Sequence, residues 1–257
     1  MNLYVIGTGP GDIDYISPRA IKIISKVDCV AGYTTYIDLI SDLVKDKEII
    51  STGMMKEVER VEKAIEQALA GKSCALISGG DPGIYAMAGL VFEICRERNI
   101  NITRPGSTDK TALCLEVIPG IPALAAGAAL VGAPLTHDFA AISLSDLLTP
   151  WEKIEKRLSA AAMADFVIVL YNPKSKKRDW QLKKAQELIM EHRNGSTPVG
   201  VVTGAMRENQ SIFFTTLDQI EKADIGMQTV VFIGSSTSMR YMDFLFTPRG
   251  YSKKYEI

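Results

Sequence analysis

Short apolar runs recur along the first half of the chain, and helix-forming segments separate them. The runs that predict strands are residues 3–6, 29–31, 48–51, 75–78 and 113–118. The segments that predict helices are residues 18–27, 57–70 and 84–95. Strands with near-continuous apolar character must be covered on both faces, and intervening helices achieve this in a mostly parallel sheet. The pattern therefore predicts an α/β fold.

The second half of the chain has a different pattern of predicted strands and helices. Its predicted strands are residues 139–144, 166–171, 199–203, 211–216 and 229–233, and its predicted helices are residues 151–162 and 180–192. Two of these strands, 199–203 and 211–216, are too close in sequence for a helical crossover, so they indicate a hairpin and a mixed sheet. We therefore expect two α/β domains, residues 1–135 and 136–257, the first with a mostly parallel sheet and the second with a mixed one.

Composition excludes several classes of protein. The net charge of −1 over 257 residues provides no general attraction for nucleic acid or for an anionic membrane. The four cysteines form no C-x-x-C pair, and the two histidines lack metal-ligand spacing, so we expect reduced thiols, no bound metal and a cytoplasmic location. Residues 117–137 carry no charge but contain three prolines, which favours a buried strand, turn and helix over a membrane span.

Three glycine-rich loops each follow a predicted strand: GTGPGD at residues 7–12, GGDPGI at 79–84 and PGIPA at 119–123. Each loop alone is compatible with a tight turn that binds nothing. Because the carboxyl ends of parallel strands meet at one edge of a sheet, the loops together predict a ligand site there. The dinucleotide fingerprint requires glycine at Asp12, where a carboxylate would repel a pyrophosphate, and Pro10 lacks an N–H. These residues disfavour a nucleotide-dependent dehydrogenase.

With their flanking residues, the three loops occur in the order and spacing of the tetrapyrrole methylase family, and the resemblance covers nearly the whole chain. Longer strings resemble the branch that methylates C-17 of precorrin-3B or cobalt-factor III in cobalamin biosynthesis. These strings are GYTTY at 32–36, APLTHDF at 133–139, SLSDLLTPW at 143–151 and LYNPKS at 170–175. The resemblance implies a methyltransferase that uses S-adenosylmethionine and contracts the macrocycle, in a homodimer whose two α/β domains enclose the cofactor and substrate cleft.

The resemblance also implies which residues contact the cofactor. They are Pro10, Gly79, Gly80, Asp81, Ile84, Pro122, Ala123, Asn172 and Ala205. This chain departs from the family pattern at two positions. Pro122 stands where many members have serine or threonine, so a hydroxyl contact is lost, and Gly204 stands where asparagine is usual.

Methyl transfer from a sulfonium depends mainly on holding the reactants in line, so few catalytic side chains are expected. For acid–base assistance to ring contraction, motif position suggests Asp12, His137 and Asp146, with Asp81 as a further candidate. His137 could also ligate cobalt, or could be a loop histidine with structural hydrogen bonds.

The substrate carries many carboxylates, so basic residues should line its site. Lys174, Lys176, Lys177 and Arg178 cluster at the start of a predicted helix, where cations oppose the helix dipole. That placement suggests an anionic ligand, although a solvated helix start is the alternative.

Two other functions remain open beside the C-17 methyltransferase. One is a sibling methylase acting at C-11, at C-20 or on uroporphyrinogen III, which the strings at residues 133–151 disfavour. The other is a protein that binds a tetrapyrrole without catalysis, which would not need two converging glycine loops. The sequence leaves undecided whether the physiological substrate contains cobalt.

Overall fold

The computed structural model of the chain describes residues 1–175 and 178–256. Contacts between Cα atoms divide the chain into two units, Met1–Pro122 and Ala123–Ile257. Each unit has its own sheet and its own apolar core.

The first unit is built on six parallel strands. The strands are β1 (Asn2–Gly7), β2 (Cys29–Tyr33), β3 (Glu48–Thr52), β4 (Ser73–Ser78), β5 (Ile102–Thr103) and β6 (Leu113–Ile118). The helices are α1 (Pro18–Ile24), α2 (Thr34–Leu39), α3 (Glu57–Leu69) and α4 (Met87–Glu97), with short 3-10 helices at Ile13–Tyr15 and Ser41–Leu43. The strand order is β3-β2-β4-β1-β6-β5, and every neighbouring pair is parallel. The predicted parallel sheet is confirmed.

Both faces of this sheet are covered. Along β1, Leu3 and Val5 belong to the core that also contains the apolar side of α3, whereas Ile6 belongs to the core that contains buried residues of α1. Because side chains alternate across a strand, an apolar run places residues in both cores. Gly71 has φ +96° and follows the helix cap at Ala70, which is the left-handed conformation that commonly ends a helix.

The second unit contains a mixed sheet and a small three-stranded sheet. Its strands are β7 (Gly132–Ala133), β8 (Phe139–Ser143), β9 (Val167–Tyr171), β10 (Pro198–Thr203), β11 (Ser211–Thr216), β12 (Thr229–Ile233), β13 (Met239–Tyr241) and β14 (Phe244–Phe246). Its helices are α5 (Ala123–Val131), α6 (Trp151–Met163), α7 (Gln181–Met190) and α8 (Tyr251–Lys254), with a 3-10 helix at Leu217–Lys222.

The larger sheet has the order β11-β10-β12-β9-β8. The pair β8–β9 is parallel, and the pairs β9–β12, β12–β10 and β10–β11 are antiparallel. The mixed sheet and its hairpin, β10–β11, are as the sequence predicts. The small sheet has the order β13-β14-β7, and its three short strands were not predicted.

The first unit ends at Pro122, before α5, whereas the sequence analysis predicts a domain boundary after residue 135. Helix α5 packs within the second unit because Gly127 leaves room for an aromatic ring. A Cβ atom at Gly127 would lie 2.8 Å from the ring of Phe232. Strand β7, which follows α5, pairs with β14 of the same unit.

The uncharged segment at residues 117–137 contains the end of β6, a loop and the nine-residue α5. No helix within residues 1–175 and 178–256 has the length and apolar character that crossing a membrane needs.

Candidate functional site

Three glycines bring the loops after β1, β4 and β6 into contact at the carboxyl edge of the first sheet. A Cβ atom at Gly7 would lie 2.5 Å from the carbonyl oxygen of Gly80 and 2.7 Å from the nitrogen of Gly120. A Cβ atom at Gly120 would overlap the same Gly80 oxygen. These strands are neighbours in the order β4-β1-β6. The convergence that the sequence predicts is present, and it depends on the absence of side chains at these positions.

Backbone hydrogen bonds join the first two loops. The N–H of Gly80 donates to the oxygen of Gly9 at 2.7 Å, and the N–H of Gly9 donates to the oxygen of Gly80 at 3.2 Å. Both residues have left-handed backbone, with φ +73° at Gly9 and +68° at Gly80. Glycine adopts this conformation without the steric cost that other residues incur.

Asp81 joins the second loop to the third. One carboxylate oxygen accepts the N–H of Gly83 at 2.8 Å, and the other accepts the N–H of Gly120 at 3.1 Å. Asp81 therefore lies where the resemblance implies a cofactor contact, but in this structure its carboxylate holds two backbone segments together. A carboxylate with two N–H donors is well suited to fixing a turn.

The other predicted residues of this edge have distinct local roles. Pro10 is buried, whereas Asp12 is exposed and its carboxylate accepts the N–H of Asp14 at 2.9 Å, which caps the short 3-10 helix. Ile84 is half-buried in the loop before α4. That helix begins at Met87, later than predicted, because Tyr85 has φ +52° and Ala86 is extended. Asp12 thus has a structural hydrogen bond, and its acid–base role stays a prediction.

A second group of polar residues lies at the carboxyl ends of the parallel strands β8 and β9 in the second unit. The side-chain amide of Asn172 donates to the hydroxyl of Ser143 at 2.9 Å, and Asn172 has φ +50°. The guanidinium of Arg178 donates to the carbonyl oxygen of Asn172 at 3.0 Å. The structure therefore brings together a predicted cofactor residue, Asn172, and a predicted substrate residue, Arg178.

Asp146 lies in the same group. Its carboxylate accepts the side-chain amide of Gln181 at 3.0 Å, and Gln181 is only 3% exposed. Burial lowers the pKa of the Arg178 guanidinium, and the charge of Asp146 partly opposes this shift. No ion pair joins Arg178 to a carboxylate within residues 1–175 and 178–256, and its Nε is buried without a hydrogen-bond acceptor there.

The remaining basic residues of the predicted cluster are placed differently. Lys174 is exposed, and Lys176 and Lys177 lie outside the described residues. Ser175 and Arg178 exchange backbone hydrogen bonds of 2.8 and 3.2 Å. Because α7 begins only at Gln181, these cations precede the helix and do not lie in its first turn, where the helix dipole acts most strongly.

His137 lies at the other end of β8 from Asp146. The five residues of β8, at about 3.3 Å each, separate the two side chains by on the order of 15 Å. The Nδ1 atom of His137 accepts the N–H of Asp138 at 2.8 Å, which is the local bond expected of a structural loop histidine. His137 and Asp146 thus flank opposite ends of β8, and their acid–base roles stay predictions.

The last predicted cofactor residues lie beside chain turns. The hydroxyl of Tyr171 accepts the N–H of Leu124 at 2.8 Å and so caps the start of α5, next to Ala123 and to Pro122, the last residue of the first unit. Ala205 is buried in the core after β10. The departure at Gly204 has a physical account, because φ there is +59°, a left-handed conformation that both glycine and asparagine tolerate.

Sequence reasoning did not identify Ser143, Gln181 and Tyr171 as members of these groups. Ser143 and Tyr171 fall inside the family-specific strings, but nothing in their residue type marks a contact across the sheet. Gln181 bonds to a residue 35 positions away. Only the tertiary structure reveals such a pair.

Metal-ligand chemistry is not evident in the part of the chain that the structure describes. It contains no group of three or more histidine, cysteine or acidic residues arranged to hold a metal ion. The four cysteines are free thiols, and Cys29 and Cys74 are register partners on neighbouring strands.

Comparison with known proteins agrees with this architecture. Residues 2–221 match the family Tetrapyrrole (Corrin/Porphyrin) Methylases. The chain belongs to the tetrapyrrole methylase family. The family prediction and the fold prediction are therefore both confirmed.

Relatives within the family match nearly the whole chain. It is 43% identical to the "Probable cobalt-factor III C(17)-methyltransferase" of Salmonella typhimurium, over 97% of this chain and 99% of the relative. It is 48% identical to the "Cobalt-factor III methyltransferase" of Priestia megaterium, over 99% of this chain, but it spans only 46% of that longer relative. Among solved structures, the methyltransferase CobJ is 33% identical, with a TM-score of 0.85, over 96% of this chain and 99% of that one.

Proposed function

We propose that this tetrapyrrole methylase transfers a methyl group from S-adenosylmethionine to C-17 of a precorrin-3-type tetrapyrrole, with contraction of the macrocycle, in cobalamin biosynthesis. The observation that carries the proposal is the convergence of the loops after β1, β4 and β6 through Gly7, Gly80 and Gly120. Support also comes from the relatives named for cobalt-factor III and for C(17) methylation.

The local structure after β1 suits S-adenosylmethionine better than a dinucleotide. In the dinucleotide-binding motif a helix begins directly at the glycine loop, and its N-terminus holds the pyrophosphate. Here a 3-10 helix intervenes, and α1 begins only at Pro18. The Asp81 carboxylate is already held by two N–H groups. This glycine-rich edge fits a ligand bound through backbone groups and close packing, and it argues against the dehydrogenase alternative.

The residues that we expect to hold the cofactor are Pro10, Gly79, Gly80, Asp81, Ile84, Pro122, Ala123, Asn172 and Ala205. When bound, S-adenosylmethionine supplies a methyl group on a sulfonium, which leaves as a neutral thioether. The chain's contribution is positioning, which can lower the barrier by roughly 7–11 kcal/mol.

Arg178 is the basic residue that the structure favours as a ligand of substrate carboxylates. Its guanidinium is oriented by the carbonyl oxygen of Asn172 and faces no carboxylate at ion-pair distance in the described part of the chain. A partly buried cation whose Nε has no acceptor among the described residues suits an anionic group. Lys174 is exposed, so salt should screen its contribution strongly.

Two measurements test this function. Isothermal titration should show that the protein binds S-adenosylhomocysteine, and mass spectrometry should show one added methyl group after the protein is given precorrin-3B or cobalt-factor III with S-adenosylmethionine. Methylation of one form only would identify the physiological substrate. Tetrapyrrole binding without methylation of either form would instead support a non-catalytic binding protein, and methylation at C-11 or C-20 would support a sibling methylase.

We further propose that the enzyme is a cytoplasmic homodimer. The free cysteines support a reducing compartment. Exposed apolar side chains on the edge strand β11 and on the β13–β14 hairpin, including Ile212, Phe213 and Phe244, support an interface with a second copy. Light scattering should give twice the chain mass, and a particle near 28.1 kDa at micromolar concentration would contradict the dimer.

A further inference from the structure

Three large apolar side chains are exposed at the carboxyl edge of the first sheet, beside the glycine loops. Met54 and Met55 follow β3 and are 52% and 78% exposed, and Tyr85 follows β4 and is 55% exposed. The strand order β3-β2-β4-β1-β6 places all these loops at one edge. We name Met54, Met55 and Tyr85 the apolar rim.

The backbone of the apolar rim adopts a conformation that side chains rarely tolerate. Met55 has φ +64° and Tyr85 has φ +52°. Left-handed backbone is unfavourable for large residues, and exposure of apolar side chains gains nothing in water. Such strain persists only where the surrounding structure enforces it, and it concentrates at ligand sites.

Arg60, on α3, contacts residues adjacent to both segments of the apolar rim. It is only 3% exposed. Its Nε donates to the hydroxyl of Thr52 at 2.7 Å and its Nη2 to the carbonyl oxygen of Gly53 at 3.0 Å, directly before the two methionines. Its Nη1 lies 3.7 Å from the sulfur of Met87, two residues after Tyr85. One buried side chain thus bonds to the segment before Met54 and to the segment after Tyr85.

The partners of Arg60 are all neutral. Its guanidinium lies 5.8 Å from the ring centre of Tyr33, and among the described residues no carboxylate lies within ion-pair distance of it. Burial lowers the pKa of Arg60, and the carboxylate of Glu57, beyond ion-pair distance, only partly opposes this shift, so the buried charge is costly. The charge behind the rim therefore favours an anionic ligand in front of it.

We propose that the apolar rim is a binding subsite for the face of an anionic, conjugated macrocycle, and that Arg60 is its positioning residue. Thioether and aromatic groups conform to a broad apolar surface, and the buried charge complements carboxylates on the periphery of the ligand. The inference rests on the proposed function, because it takes the tetrapyrrole as the ligand.

The test is the double variant Met54→Gln, Met55→Gln, which keeps side-chain length but removes apolar character. Both residues are exposed, so the fold should be retained. The dissociation constant of cobalt-factor III or precorrin-3B, measured by its visible absorbance, should rise about tenfold as apolar contact is lost. Affinity for S-adenosylhomocysteine, measured by titration calorimetry, should stay within about twofold.

Met163→Gln is the matched control, because Met163 is 71% exposed at the end of α6 in the second unit. It should leave both affinities unchanged. An unchanged tetrapyrrole affinity in the folded double variant would overturn the rim, as would an equal loss of both affinities. A wild-type protein that binds neither ligand would instead overturn the proposed function, which separates the two failures.

Arg60→Lys tests the positioning role. Lysine keeps the charge but cannot donate to Thr52 and Gly53 from one planar group. Tetrapyrrole affinity should fall about as far as in the double methionine variant, again with little change for S-adenosylhomocysteine. Wild-type tetrapyrrole affinity in this variant would refute the role of Arg60. If the variant does not fold, the double methionine variant alone decides whether the rim binds the macrocycle.

Discussion

The two units differ in the kind of contact found at the carboxyl ends of their parallel strands. At the carboxyl edge of the first sheet, Gly7, Gly80 and Gly120 let three backbone segments touch, and the Asp81 side chain joins the second loop to the third. At the carboxyl ends of β8 and β9, the contacts run between side chains and carbonyl groups around Asn172 and Arg178.

This difference has consequences for tolerance to mutation. A backbone contact between glycines fails sharply when any side chain is added, because backbone atoms cannot move aside. A network of polar side chains loses one bond at a time, at about 0.5–1.5 kcal/mol for each neutral hydrogen bond. We therefore expect substitutions at the glycine contacts of the first unit to weaken ligand binding strongly. Substitutions in the polar network of the second unit should weaken ligand binding in smaller steps.

The largest effect is expected for Gly120→Ala. The new Cβ would overlap the Gly80 oxygen and lie 2.8 Å from backbone atoms of Gly7, so the three loops would separate. Affinity for S-adenosylhomocysteine should fall by more than about a hundredfold, equivalent to a loss of about 2.8 kcal/mol. The control is Gly89→Ala in α4, where a Cβ meets nothing within 4 Å and helix propensity should improve slightly. Equal affinity of the two variants for S-adenosylhomocysteine would show that the backbone contacts of Gly120 are not needed for cofactor binding.

Asp81→Ala should have the next largest effect. The substitution removes the acceptor for the N–H groups of Gly83 and Gly120, so the third loop is no longer fixed to the second. We expect about tenfold weaker binding of S-adenosylhomocysteine in titration calorimetry. Asp81→Asn retains one acceptor oxygen and should lie between wild type and alanine. A folded alanine variant with wild-type affinity would show that neither the carboxylate nor its loop contact matters for the cofactor.

Arg178→Gln tests the second unit through the substrate. We expect the KM for the tetrapyrrole to rise about fivefold to tenfold, with little change in cofactor affinity, because a charge-assisted contact is lost. Lys174→Gln, at an exposed position, should raise KM about twofold or less, and that change should disappear at high salt. In a quadruple Gln variant that also changes Lys174, Lys176 and Lys177, the KM should rise little more than in Arg178→Gln. A wild-type KM for the quadruple variant at low salt would exclude the whole cluster.

The smallest effect is expected for Asn172→Gly. Glycine accepts φ +50° and loses only the hydrogen bond to Ser143, so the free energy of unfolding should fall by about 1 kcal/mol or less. Asn172→Val should cost more, because a β-branched residue is strained at positive φ. Chemical denaturation measures both changes. Equal stability of the glycine and valine variants would show that the left-handed conformation is not needed.

Much of the fold could be predicted from the sequence. The period of apolar residues identified the long strands and helices, because burial on one or both faces imposes that period on the chain. It failed for β7, β13 and β14, which are two or three residues long and carry no periodic signal. It also placed the start of α4 at Ile84, because the left-handed backbone at Tyr85 is a tertiary effect that contradicts local preference.

Some features of the candidate site could be predicted from the sequence, and others could not. Glycine loops after parallel strands were predictable, because topology alone brings them to one edge. Motif position could not show that His137 and Asp146 lie at opposite ends of β8, nor that the cationic cluster precedes α7. The sequence by itself determined the α/β class through the period of its apolar residues, and it placed three glycine loops after predicted strands. The family followed from the resemblance of longer strings, such as APLTHDF at 133–139. Only the tertiary structure decided that Asp81 bonds to Gly120, Gln181 to Asp146 and Arg60 to the segment before Met54, because the partners are brought together by strand order and packing.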